Sequence, residues 1–165
     1  MSKQLRPVAL DFLDSAPVRL VFVQRAAAAP EAVFAALREV DSWPRWYSAV
    51  TKARPLDAGA RRVIHLRGGT RFLETVIAAE EPERYAYRVD ATNAPGVRAI
   101  LEDWRLTPSG SGTVVRYTMA VDGTAPARTG LRLLGPGLER AFRAAVRKLD
   151  RRLAAAEADP SGMHG

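Results

Sequence analysis

An α+β fold, in which a curved antiparallel sheet of seven strands closes around a long C-terminal helix and two short helices follow the first strand, is predicted by three features of this sequence. A strand-like run is followed by two short helical segments. Six more strand-like runs then succeed one another with no helical stripe between them. The described order ends in an amphipathic stretch several turns long. A sheet that is apolar on one face and a helix that is apolar along one stripe bury both surfaces by packing together.

Residues 1–17 are mixed in character, end in Asp14-Ser15-Ala16-Pro17 and read as a lead-in segment. Residues 18–25 are β-branched and aromatic, which marks the first strand. Pro30 suits the first turn of a helix, because its fixed φ fits and its missing N–H is not needed there. Val33, Phe34, Leu37 and Val40 continue that helix as one apolar stripe. Asp41-Ser42 caps a second short helix containing Trp43-Pro44-Arg45-Trp46-Tyr47.

The six later strands are expected at residues 49–56, 62–67, 71–79, 85–91, 98–107 and 113–121, separated by turns rich in Gly, Pro and Asn. Each connection is short enough for a hairpin, so the runs predict a meander. A linker with Pro126 and Gly130 and the breaker Gly135-Pro136-Gly137 then precede a helix over 138–156. Its buried face is Leu138, Phe142, Val146, Leu149 and Leu153, at steps of three to four. The spacing assigns 18–158 to one domain and 159–165 to a flexible tail.

A chain of 165 residues with 47% hydrophobic and 26% charged residues is ordinary globular material with room for one domain and a real core. No apolar run is long enough for a membrane span, the first residues lack the apolar segment of a secretory signal, and there is no cysteine; together these predict a cytoplasmic protein. The net charge is +7, and 22 of the 25 basic residues are arginine. These arginines are scattered among acids and accompany no recognised motif, which argues against a nucleic-acid partner. The last helix is the exception. Its basic face leaves open a non-catalytic accessory or carrier protein that makes weak contact with an anionic membrane or a partner.

His65 and His164 are far apart and unaccompanied by cysteine, so no metal site is expected. Gly68-Gly69 and Gly110-Ser111-Gly112 lie in turns between strands, without the strand-to-helix context of a phosphate loop, and no cofactor is expected.

The element order, with Pro30-Glu31-Ala32-Val33-Phe34, Trp43-Pro44-Arg45-Trp46-Tyr47, Glu81-Pro82-Glu83-Arg84-Tyr85 and Gly112-Thr113-Val114-Val115-Arg116-Tyr117, resembles the polyketide cyclase/dehydrase branch of the START-like (Bet v 1-like, SRPBCC) superfamily over about residues 18–156. The resemblance implies a helix-grip fold with an internal cavity between sheet and long helix. It also implies a small hydrophobic partner, a polyketide, lipid or aromatic metabolite, whose cyclisation or dehydration the protein would promote or which it would only carry.

Alternation along strands then selects residues, because side chains two apart share a face. Ile100, Glu102, Trp104 and Leu106 form an inward set opposed by Leu101, Asp103, Arg105 and Thr107. Glu102 is thereby placed at the cavity, where burial would raise its pKa and suit it to general acid or base work. The structural alternative is a pair with an arginine such as Arg98. Val115, Tyr117, Met119 and Val121 form a second inward set and Tyr85, Tyr87 and Val89 a third. Tyr117 is the second candidate for proton transfer. Trp46, Tyr85, Tyr87, Trp104, Met119 and Phe142 are the candidate ligand-binding wall, with core packing as the alternative reading for each. Trp46 or Tyr47 would gate the mouth, or else Trp43 and Trp46 fix their helix to the sheet.

Overall fold

A computed structural model describes residues 1–159. The strands are β1 (Lys3–Gln4), β2 (Val18–Ala26), β3 (Val50–Leu56), β4 (Arg61–Leu66), β5 (Arg71–Glu80), β6 (Arg84–Thr92), β7 (Val97–Ser109) and β8 (Gly112–Gly123). The α-helices are α1 (Phe12–Ser15), α2 (Pro30–Arg38) and α3 (Ala125–Ala158), and a 3-10 helix spans Val40–Arg45. Among the described residues these strands make one antiparallel sheet of eight. Seven of them run in the order β2-β8-β7-β6-β5-β4-β3, and β1 pairs with β6. The meander from β3 to β8 is the predicted one, and β2 closes it by pairing with β8 along its whole length.

Two elements differ from the sequence expectation. The segment read as a lead-in is part of the structure: it supplies β1, and Leu5, Val8 and Phe12 are buried. Val8 and Phe12 pack on Ala99, Leu101 and Ala120, on the face of the sheet away from α3. Leu101 and Asp103, expected outward, are therefore buried as well, and Asp103 is held by Arg84 Nε at 2.8 Å.

The second difference is α3, which begins thirteen residues before the expected start at residue 138 and runs for 34 residues through Pro126, Gly130 and Gly135-Pro136-Gly137. Pro126 stands in the first turn, where a missing N–H costs nothing, and Thr124 Oγ1 accepts from Ala127 N. Pro136 forgoes one helical hydrogen bond. The helix continues because Leu131, Gly135, Leu138 and Phe142 prolong a single inward stripe at steps of three and four, with Leu131 and Leu138 half-buried and Gly135 buried beside Leu20 of β2. Packing of that stripe outweighs local propensity. The tail expectation for residues 160–165, His164 included, lies outside the described residues.

Further down α3, Asp150 accepts from the backbone N–H groups of Ala27 and Ala28, each at 2.8 Å, and so ties the helix to the loop between β2 and α2. The same loop explains Gly112-Thr113. A Cβ on Gly112 would run into the carbonyl oxygen of Ala26, while Thr113 Oγ1 donates to Ala28 O at 2.7 Å. The main core lies between the concave face of the sheet and α2, the 3-10 helix and α3, with Phe34, Leu37, Trp46, Trp104 and Phe142 nearly inaccessible. No described helix is long and apolar enough to cross a membrane.

Candidate functional site

Strand register builds a polar centre inside this core. Glu102 on β7 stands directly opposite Tyr87 on β6, and the Tyr87 hydroxyl donates to Glu102 Oε2 at 2.6 Å. The same hydroxyl accepts from Trp104 Nε1 at 3.0 Å, so both hydrogen-bonding directions of Tyr87 are used. Tyr117 on β8, opposite Trp104, brings a second hydroxyl close to Glu102. Trp104, Tyr117 and Phe142 close over it as one aromatic group, the first two with ring centroids 4.9 Å apart.

A second cross-strand pair completes the centre. Arg62 on β4 faces Glu74 on β5, and Arg62 Nε donates to Glu74 Oε2 at 2.5 Å. Both side chains are almost wholly excluded from solvent, at 1% and 2% exposure. Arg62 Nη1 donates to the Tyr85 hydroxyl at 3.2 Å. The guanidinium carbon sits 3.7 Å from the ring centroid of Tyr87 and 4.4 Å from that of Trp43, a cation sandwiched among aromatic faces. Among the described residues, Nη2 of Arg62 is the buried side-chain polar atom with no hydrogen-bond partner. An orphaned donor of this kind costs about 1–3 kcal/mol, and more when it is charged.

Electrostatics divide the roles. Burial raises the Glu102 carboxyl above the ordinary range, and the Tyr87 hydrogen bond, the nearby Tyr117 hydroxyl and the Arg62 charge offset only part of the rise. Glu74 is pushed up to about 7, chiefly by burial, with Arg62 opposing and the nearby Glu102 charge adding to the rise. Burial weakens the charge on Arg62, but Glu74, Tyr87 and Tyr85 more than restore it, so the guanidinium remains protonated. Tyr87 and Tyr117, desolvated beside Glu102, are held well above their usual value and act as neutral donors. Two carboxyl groups thus share one cation. Glu74 holds the direct ion pair with it, while Glu102 is held by the Tyr87 hydroxyl. A buried carboxyl group with a raised proton affinity can exchange a proton with a ligand, and a fixed cation beside it can stabilise a developing oxyanion.

The sequence candidates fall into place around this centre. Glu102, Tyr117, Tyr85, Tyr87, Trp104 and Phe142 are all buried on the concave side, and Met119, opposite Glu102 on β8, is half-buried. Arg98 is exposed, and the ion pair considered for Glu102 is not formed with it. Trp46 is 1% exposed, with its Nε1 near Ser42 Oγ at 3.4 Å and its ring stacked on Tyr47 at 5.7 Å. It lies beneath Tyr47 rather than at a mouth, and Trp43 anchors the 3-10 helix by donating to Leu37 O. A surface cleft of about 470 Å³ opens elsewhere, lined by Arg38, Ala58, Gly59, Val76, Ala79 and Tyr85. Tyr85 belongs to both regions: it lines the cleft, and its hydroxyl holds Arg62.

Arg62 and Glu74 are the members that residue patterns had not singled out. The signal was the alternation that selected Glu102, since Arg62 shares a face with Ile64 and Glu74 with Phe72 and Val76.

The family described as polyketide cyclase / dehydrase and lipid transport matches residues 18–154. An uncharacterized protein of Mycobacterium tuberculosis is 33% identical over 159 residues, which is 91% of this chain and 95% of that one. Among solved structures, the Zhui aromatase/cyclase from Streptomyces superposes with a TM-score of 0.69 at 16% identity, covering 84% of this chain and 94% of that one. A START superfamily protein from Mycobacterium smegmatis gives 0.64 at 12%, covering 83% and 97%. At these identities the two structures establish the shared fold.

Proposed function

This chain belongs to the polyketide cyclase/dehydrase and lipid transport family, and from that premise we propose that it binds a small hydrophobic ligand whose acceptor oxygen is met by Nη2 of Arg62. The orphaned donor carries this reading: a charged N–H inside an aromatic shell fits a ketone, phenol or carboxylate oxygen on an otherwise apolar frame. Polyketides and oxygenated aromatic metabolites have this character. Access from the surface cleft requires Tyr85 to turn aside, which would also release Nη1 of Arg62 for the same oxygen.

The arrangement also supports proton transfer on such a ligand. In its ionised form Glu102 would take a proton from carbon next to a ketone, while Arg62 holds the resulting enolate oxygen. In its protonated form it would give that proton to a departing hydroxyl, which leaves as water. Tyr87 and Tyr117 would keep the carboxyl in place through both steps. In a carrier the same groups would hold the ligand and go no further.

Fluorescence titration tests the binding reading, because Trp43 and Trp104 flank the centre. A hydroxyanthraquinone should quench their emission and bind about ten- to hundredfold more tightly than anthracene, the range expected for a hydrogen bond to a charged donor. Arg62→Lys, which keeps the charge and removes the planar fork, should abolish that preference. Equal affinities for the two compounds in the unmodified protein would refute the proposal.

A further inference from the structure

A different surface carries an inference independent of the interior site. Leu133 and Leu134 on α3 are 78% and 63% exposed. They lie in the stretch of α3 that departs from the sequence expectation, where the helix continues and turns them to solvent. A straight helix returns to the same face after seven residues, with a drift of about 20°, and after eighteen residues with almost none. Leu133, Arg140, Arg147 and Arg151 therefore form one outward line, and each is exposed. Between them, Gly137 and Ala144 keep the face low.

The charge on this face is one-sided. From residue 128 to 152 the helix carries eight arginines and lysines against two acids, Glu139 and Asp150. Asp150 is turned to the Ala27 and Ala28 N–H groups, and Glu139 is engaged by Arg143 at 2.7 Å. Among the described residues the other cations of this stretch form no ion pair with an acid of the helix, whose third carboxylate, Glu157, lies beyond them near its end. A helix of 34 residues is about 50 Å long, so the apolar end and the basic stretch lie along one extended face.

We propose that the outer face of α3 docks on an anionic lipid surface, with Leu133 and Leu134 entering the headgroup region and Arg140, Arg147 and Arg151 meeting lipid phosphates. Cations alone would suit any polyanion. The adjoining pair of exposed leucines selects a lipid surface, where apolar side chains leave water at the same interface that the arginines neutralise.

The test is sedimentation of the full chain with vesicles of phosphatidylcholine alone or mixed with phosphatidylglycerol, at low and high salt. Binding should appear only with the anionic vesicles and weaken with salt. The triple variant Arg140→Gln/Arg147→Gln/Arg151→Gln should lose about a hundredfold in partitioning, since each basic residue near such a surface contributes roughly fivefold. Leu133→Ser/Leu134→Ser should lose about tenfold, and because all five positions are exposed, circular dichroism should report an unchanged fold. No binding to anionic vesicles, equal binding to neutral ones, tighter binding of duplex DNA by the same arginines, or insensitivity to the leucine substitutions would each overturn the proposal. Self-association of the chain through this face, abolished by the leucine variant in the absence of lipid, would overturn it too.

Discussion

Tyr87 Oη donates to Glu102 Oε2 at 2.6 Å while accepting from Trp104 Nε1 at 3.0 Å, so one hydroxyl sets the orientation of the carboxyl group and satisfies a buried indole. Antiparallel register makes this possible, because Tyr87 and Glu102 are directly opposed and Trp104 is the next residue on the same face of β7. The pair is held by strands rather than loops, which gives the carboxyl a fixed position near Arg62.

The raised pKa of Glu102 has a consequence for stability. The native state keeps its proton at pH values where the unfolded chain, titrating near 4.5, has lost it. Its contribution is therefore fully present below pH 4.5 and is lost as pH rises through the native value. Glu102→Gln resembles the neutral acid in shape. Urea unfolding should find it close to the unmodified protein at acid pH and increasingly the more stable of the two toward alkaline pH. Parallel pH profiles would show that Glu102 titrates alike in the native and unfolded states, contrary to this account.

Arg62 and Glu74 should behave as a buried pair. Arg62→Leu leaves a carboxyl without its cation and should destabilise the fold by about 3–5 kcal/mol, whereas Arg62→Leu/Glu74→Leu should recover most of that loss. A double-mutant cycle by chemical denaturation measures the coupling. Additive losses would mean that the ion pair contributes little.

Phe12 should matter more than its place near the N-terminus indicates, since it is 6% exposed and covers Leu101 and Ala120. Phe12→Ala should cost about 3 kcal/mol in thermal or urea unfolding. A loss below about 0.5 kcal/mol, as for an ordinary surface substitution, would show that this segment contributes little to the core.

Gly112→Ala should destabilise by about 1–3 kcal/mol, because the added methyl group meets the Ala26 carbonyl and the strand must shift. Ser111→Ala, in the exposed turn beside it, serves as the control and should have little effect.

Much of this architecture was legible in the sequence because its signals are local. The meander shows in turn residues between β-branched runs, and Glu102 shows as a charge in phase with Ile100, Trp104 and Leu106. Arg62 and Glu74 obey the same alternation, yet each lies among other charged residues whose default place is solvent. Only pairing across β4 and β5 reveals that they neutralise one another indoors. The start of α3 was hidden for the opposite reason. Gly135 and Pro136 are local signals for a break, and they are overruled by contacts with β2 that lie more than a hundred residues away along the chain. The cover on the far side of the sheet was equally non-local, since Val8 and Phe12 carry a spacing of four with no helix joining them, and only their contact with Ala99, Leu101 and Ala120 reveals their burial.

The central claim is that Nη2 of Arg62 receives an oxygen of the ligand. Nuclear magnetic resonance of protein labelled with ¹⁵N-arginine reads it most directly, with the Arg62 side-chain signals assigned by their loss in Arg62→Lys. Adding a hydroxyanthraquinone should move the Arg62 Nη protons downfield as the new hydrogen bond forms, and anthracene should leave them where they were. Tight binding of the hydroxyanthraquinone with the Arg62 signals unmoved would contradict the account.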